Sequence, residues 1–314
     1  MARPLRLPQN RAMHDLILHH YDMSPYAEKV RLMFGLKGLA WHSVQIPIVM
    51  PKPDVTELTG GYRRTPVLQI GADIYCDTKA CARALERFAP KPSLFPAGDE
   101  ATVWGLSRWA ETSFMMAVTA FLGLGGLFDE AFIEDRKLMA PGVDFSRAGV
   151  IVPAKLLQLR ANLDLLEGQL ADGRRFLMGE TLCLADLAAY HPHMFLGGHP
   201  KTAALLEPLT HVPAWMARVA AIGHGERHEM DAADAIAIAR DAKPAPVESD
   251  GVALPEGLAV GDPVIVLPEE TGSGVTAGEL LASGPHEIAV RRQAERAGEV
   301  VVHFPREDYL VVRA

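Results

Sequence analysis

Ser24 is the hydroxyl of this chain best placed to do chemistry. It follows the apolar run Leu16-Ile17-Leu18 and directly precedes Pro25. Serine is a favoured helix N-cap and proline a favoured first helical residue. The segment Ser24-Pro25-Tyr26-Ala27-Glu28-Lys29-Val30-Arg31 therefore predicts a helix opening at Pro25, reached from a strand over Asp15 to His20. Any helix N-terminus offers unpaired N–H donors and partial positive charge. A hydroxyl placed there can hold an anion, and a thiolate is the anion proposed for it. Taken without its surroundings, the same serine only caps its helix. Tyr21, before the turn, is the rival hydroxyl.

The elements that would position Ser24 follow in order. Trp41 to Ile46 reads as a second strand, with a proline-rich loop after it (Pro47, Pro51, Pro53). Arg63-Arg64-Thr65-Pro66-Val67-Leu68-Gln69-Ile70 is a strand opening with proline, and Gly71-Ala72-Asp73 turns the chain into the strand Ile74-Tyr75-Cys76. Asp77-Thr78 then leads into a helix from Lys79 to Phe88. This order is a thioredoxin-like layout. Three motifs, S-P-x-x-x-K-V-R after the first strand, R-T-P-V-L, and D-T before the last helix, resemble the N-terminal domain of the glutathione transferase superfamily. The serine-before-proline form is most similar to the serine-type branches (tau-like and zeta-like) and to the omega-like branch, which has cysteine at that place.

The resemblance assigns roles. Ser24 would hold the glutathione thiolate, with Tyr21 as the alternative, since some branches use a tyrosine near the end of the first strand. Pro66 would follow a cis bond, letting Thr65 offer its N–H and C=O to the extended peptide in a form of strand addition. Without the neighbouring motifs, a trans proline opening an edge strand is the ordinary reading. Asp77 would take the γ-glutamyl ammonium, while the Thr78 hydroxyl and the helix N–H groups take its carboxylate. The family more often has Glu-Ser there. Arg64 stands where a basic residue often meets the glycyl carboxylate, and Lys52 and Arg63 are alternatives for that role. Trp104, Arg108 and Met115 would line the pocket for an apolar electrophile. Glutathione enters as co-substrate, with no metal, and a homodimer engaged in detoxification is what the family implies.

Bulk properties are compatible with this. A chain of 314 residues with 49% hydrophobic content can build more than one core, and its length fits about two domains. A formal charge of −8 argues against a nucleic-acid or anionic-membrane surface. No apolar run reaches the ~20 residues of a membrane span, and no secretory signal pattern is present. Residues 1–14 carry Arg3, Arg6 and Arg11 without an apolar period and read as a flexible leader. Cys76, Cys81 and Cys183 form neither a CxxC pair nor an even disulfide framework, which fits a reducing, cytoplasmic setting.

The fold expected is α/β plus all-α. It comprises a thioredoxin-like domain over residues 15–90, a helical bundle over 99–242, and a small antiparallel β appendage over 256–314. The span Ala101 to Leu122 carries Trp104, Trp109, Phe114, Met115, Val118 and Phe121 at near-helical spacing and ends at Gly123 to Gly126. Leu156, Leu159, Leu163, Leu166 and Leu170 repeat on one face of the next strong helix. In Thr181-Leu182-Cys183-Leu184-Ala185-Asp186 the capping box of the family's buried helix has cysteine in the cap position, leaving Asp186 to reach back to the cap N–H. His224 and His228 have a zinc-like spacing, but Gly223 and Gly225 beside them favour an exposed polar turn. The family resemblance stops near residue 240. Beyond a proline-rich linker (Pro244, Pro246, Pro255), five β-branched runs separated by turn residues read as a meander or barrel. That tail is either a packing or dimer-stabilising appendage, or a lid or partner-binding module acting through Arg291, His303 and Arg306.

Overall fold

The computed structural model describes residues 15–314 except 97–98, 126–128, 140–146, 198–199, 248–253, 255, 270–271 and 273, and without the side chains of 121–125, 148–149, 195 and 201–202. The leader, the side chains of Phe121 and Leu122, and Pro255 thus lie outside the described residues. The N-terminal unit runs β1 (Leu16–His20), α1 (Pro25–Lys37), β2 (Ala40–Gln45), α2 (Pro53–Thr59), β3 (Val67–Ile70), β4 (Asp73–Cys76) and α3 (Thr78–Phe88). β1 pairs parallel with β2 and antiparallel with β3, and β3 pairs antiparallel with β4, the thioredoxin-like arrangement. The short helix α2 is a departure from the loop expected there. Pro53 sits in its first turn, and Gly60, at φ +82°, ends it in the left-handed region that glycine adopts without strain.

Helices follow: α4 (Glu100–Gly125), α5 (Glu130–Met139), α6 (Ala148–Leu170), α7 (Leu184–Gly197), α8 (Pro200–Ala203) and α9 (His211–Ala220). Leu159, Leu163, Leu166 and Leu170 of α6 are buried, as their spacing requires. α7 begins as anticipated: Asp186 accepts from the Cys183 N–H at 3.1 Å, and also from Leu177 N–H at 2.8 Å and Trp215 Nε1 at 2.9 Å. The bundle is not wholly helical. The stretch expected to be a polar turn is β5 (Glu226–Glu229), which is exposed and pairs parallel with β2, before α10 (Ala232–Asp241) completes this part. Among the described residues, no group of three or more His, Cys, Asp or Glu side chains could hold a metal ion.

The appendage supplies β6 (Pro263–Pro268), β7 (Thr276–Ser283), β8 (Glu287–Ala294), β9 (Gly298–Pro305) and β10 (Tyr309–Arg313). All five expected strands form, as an antiparallel meander with β10 returning beside β6. The meander does not stand apart. β9 pairs parallel with β4, so one sheet of ten strands runs β10-β6-β7-β8-β9-β4-β3-β1-β2-β5. Alternation along β1 shows how the core divides. Leu16 and Leu18 join α1, α3 and the bundle on one face, while Ile17 joins α2, α10 and the inward residues of the appendage on the other. The docking is close. A Cβ on Gly274 would lie 2.0 Å from the Gly61 carbonyl oxygen, and the Thr276 hydroxyl donates to Thr59 O at 2.7 Å.

No described helix is long and apolar enough to cross a membrane.

Candidate active site

Ser24 caps α1: its Oγ accepts from the Ala27 N–H at 3.2 Å, and the residue is almost fully buried. Capping uses an oxygen lone pair, so the hydroxyl proton remains to be donated, and the two roles of Ser24 are compatible. The Tyr21 phenol lies against the Ser24 hydroxyl and also accepts from Arg136 Nη2 at 3.3 Å. Burial raises the Tyr21 pKa against the opposing pull of Arg136, so the phenol stays protonated. Glu28 would place negative charge in the first turn of α1. It is tied instead to Arg31 at 2.7 Å and to His224 at 2.9 Å. Burial would raise its pKa, but those partners hold it below the usual carboxylate value.

From Tyr21 the contacts run to the segment that leads into β3. Lys52 Nζ sits 5.5 Å from the Tyr21 ring centroid and donates to Thr65 Oγ1 at 3.1 Å and Arg63 O at 3.2 Å. Burial and the neighbouring Arg136 bring the Lys52 pKa down to about 8. The Thr65–Pro66 bond is cis. Arg63 pairs with Asp135, which also pairs with Arg136 and accepts from the Met50 N–H at 3.1 Å. This end therefore gathers Lys52, Arg63 and Arg136 around a single carboxylate, Asp135. Of the three basic residues considered in the sequence, Lys52 donates to Thr65 and Arg63 pairs with Asp135, while the charge of Arg64 also reaches the Tyr62 and Tyr309 phenols.

At the other end Asp77, with φ +78°, caps α3 by accepting from the Lys79 N–H at 2.9 Å, and Thr78 is buried beside it. Its second oxygen, Oδ2, accepts from the Tyr309 hydroxyl at 3.3 Å. Lys79 Nζ reaches the β9–β10 turn, 2.6 Å from Asp308 and 3.1 Å from Glu307, and Arg108 of α4 meets Asp308 at 3.0 Å.

The three residues read as an electrophile pocket do not gather at one point. Trp104 and Met115 are ~16 Å apart along the helix axis at 1.5 Å per residue. Trp104 packs under Arg83 and lines a narrow cleft with Pro285, His286 and Glu307 of the appendage. Arg108 is bound by Asp308, and Met115 is exposed. Phe114 of α4 reaches the start of α1, its ring 4.6 Å from that of Tyr26, two residues after Ser24, and the His191 ring lies 5.0 Å from Tyr26. A cleft of about 440 Å³ lies at the opposite end of α1, beside Leu36, Pro92 and Leu182, and has no part in this site.

Sequence reasoning missed Arg136, Asp135 and Tyr309. They lie on α5 and β10, outside every recognised motif, and only the folded chain brings them to Tyr21, Lys52 and Asp77. Arg291, His303 and Arg306, named as contacts of a lid, are engaged within or beneath the appendage: Arg291 with Glu279, Arg306 with Ser283, and His303 between Asp73 and Glu287.

Two family models match this chain: glutathione S-transferase, N-terminal domain, over residues 18–93, and glutathione S-transferase, C-terminal domain, over residues 151–222. A crystal structure of a GST-like protein from Pseudomonas syringae is 40% identical, with a TM-score of 0.80. It covers 96% of this chain and 100% of its own. The chain belongs to the glutathione transferase superfamily. Poplar glutathione transferase F1 shares the fold at 16% identity and a TM-score of 0.53, covering 66% of this chain and 92% of its own. The difference in coverage is informative, because the Pseudomonas protein, unlike the poplar enzyme, extends far enough to take in the β appendage. FtsZ-localized protein A of Caulobacter vibrioides is 26% identical over 178 residues, 55% of this chain and 73% of that protein.

Proposed function

We propose that this protein is a glutathione transferase that conjugates the glutathione sulfur to an apolar electrophile. The observation that carries the reading is Ser24. Its oxygen caps α1 through Ala27 N–H while its proton stays available at the positive end of the helix. Glutathione lies across the edge at Thr65 and Pro66, with its glycyl carboxylate toward Lys52 and its γ-glutamyl end at Asp77 and Thr78. The thiol gives up its proton to solvent, and Ser24 O–H donates to the thiolate, which is the nucleophile. Carbon–sulfur bond formation then displaces the leaving group with its bonding electrons, or adds sulfur across an activated double bond. Tyr26 and Phe114 form the apolar wall nearest the sulfur. Cytoplasmic location, homodimerisation and a role in detoxification belong to the same proposal.

The test pairs glutathione calorimetry with conjugation of an aryl halide. The parent binds glutathione and turns over, and Ser24→Ala loses roughly 10²-fold in rate, as removal of an oxyanion-type donor does. Tyr21→Phe is the control that separates the two hydroxyls. An alanine variant as active as the parent removes Ser24 from the mechanism.

A second reading, a non-catalytic protein that binds a partner on the same fold, draws on the similarity to FtsZ-localized protein A. Both carboxylate oxygens of Asp77 already have protein donors, which also suits it. Absence of glutathione binding at millimolar ligand would favour this reading.

A further inference from the structure

We infer that the appended strand β10 completes the γ-glutamyl end of the glutathione site, with Tyr309 as the residue that positions Asp77. The inference rests on the glutathione-binding reading above. It starts from a conflict at the head of α3. Asp77 is asked to meet a ligand ammonium, yet Lys79 stands two residues away and feels the Asp77 charge. An ammonium on a flexible four-carbon stem would fold back onto that carboxylate and neutralise it.

The β9–β10 turn removes the competitor. Asp308 and Glu307 hold Lys79 Nζ at 2.6 and 3.1 Å, and Arg108 braces Asp308 from α4 at 3.0 Å. Asp308 itself has φ +69°, the left-handed conformation that turns the chain there so that Tyr309 enters β10 facing inward. The Tyr309 ring is buried among Tyr62 and Phe304, and its hydroxyl lies 3.3 Å from Asp77 Oδ2 and 3.4 Å from the Tyr62 hydroxyl. A carboxylate only accepts, so the Tyr309 proton points to Asp77. Asp77 is thereby fixed through both oxygens, Oδ1 by the backbone and Oδ2 by Tyr309, while its half-buried carboxylate keeps remaining lone pairs for a ligand. The residues that do this are contributed by a segment outside both matched family domains.

The experiment compares two ligands by calorimetry, glutathione and cysteinylglycine, which lacks the γ-glutamyl group. In Tyr309→Phe, affinity for glutathione falls about fivefold, the net value of one typical hydrogen bond. Affinity for cysteinylglycine holds, so discrimination between the two ligands shrinks by the same factor. Asp308→Asn, a change at a partly exposed turn, removes the shorter of the two ion pairs that hold Lys79 and reduces the same discrimination, and it carries the test if the tyrosine variant does not fold. Equal weakening of both ligands, or unchanged discrimination in either folded variant, would overturn the role of β10 while leaving the glutathione reading intact. A parent protein that binds no glutathione would overturn both.

Discussion

The two ends of the proposed glutathione cleft are built on opposite plans. At the sulfur and glycyl end, Lys52, Arg63 and Arg136 surround one carboxylate, and two hydroxyls meet at the start of α1. At the γ-glutamyl end, the carboxylates of Asp77, Glu307 and Asp308 face Lys79 and Arg108. One end is suited to an anion and the other to an ammonium, and a zwitterionic tripeptide carries both. The ends also differ in origin. The first is assembled from the N-terminal unit and a bundle helix. The second is closed by strands that extend the central sheet through the β4–β9 pairing. On the proposed reading, the added domain contributes side chains to the γ-glutamyl end, while at the other end it packs against α5 through Gly272, beside the Leu138 and Met139 carbonyls.

The largest effect that could break this contrast is at the sulfur. Ser24→Ala is expected to reduce conjugation by roughly 10²-fold at saturating glutathione, while Tyr21→Phe falls well short of that. Steady-state rates with both variants decide between the hydroxyls. Next comes Lys52→Met, expected to weaken glutathione binding about tenfold through loss of a charge-assisted contact. Because burial and the neighbouring Arg136 bring the Lys52 pKa down to about 8, the advantage of the parent over the variant in glutathione affinity should fall as pH rises through 8. Calorimetry of both proteins across that range should show the two affinities converging. Tyr309→Phe comes third, with its fivefold loss of discrimination at the other end.

The smallest effect concerns how firmly the appendage is held. His303 of β9 is buried between Asp73 at 2.9 Å and Glu287 at 2.8 Å, with Tyr75 stacked on its ring and Arg87 pairing with Glu287 from outside. Burial alone would lower its pKa, but the hydrogen bonds to Asp73 and Glu287 outweigh it and raise the value above 6.5. A raised folded-state value means the stabilisation is complete below pH 6.5 and lost as pH climbs through the folded pKa. Thermal melts should lose roughly 2–4 °C over that rise. In His303→Gln this alkaline loss should vanish.

Much of this was legible in the sequence because it is local. Ser24-Pro25 and Asp77-Thr78 announce two helix caps through neighbouring residues alone, and both form, whereas the cis bond before Pro66 was implied by the family resemblance and not by its neighbours. The leucine period of α6 and the Asp186 cap of α7 were readable for the same reason. The strands of the appendage were visible in their β-branched runs, but their pairing with β4 was not. Strand pairing across more than two hundred residues leaves no periodic trace. The polar Glu226–Glu229 segment failed for a related reason. Its alternation buries nothing, so only the open edge of β2 makes it a strand. Arg136 and Tyr309 carry no motif because their function depends wholly on where the chain returns.

The most direct measurement is the ultraviolet titration of the thiol of glutathione bound to the parent and to Ser24→Ala. In the parent the bound thiol should titrate well below the ~8.5 of a free cysteine, and in the alanine variant it should move back toward that value. A bound thiol that titrates like free glutathione in both proteins would contradict the assignment of Ser24 as the group that holds the thiolate.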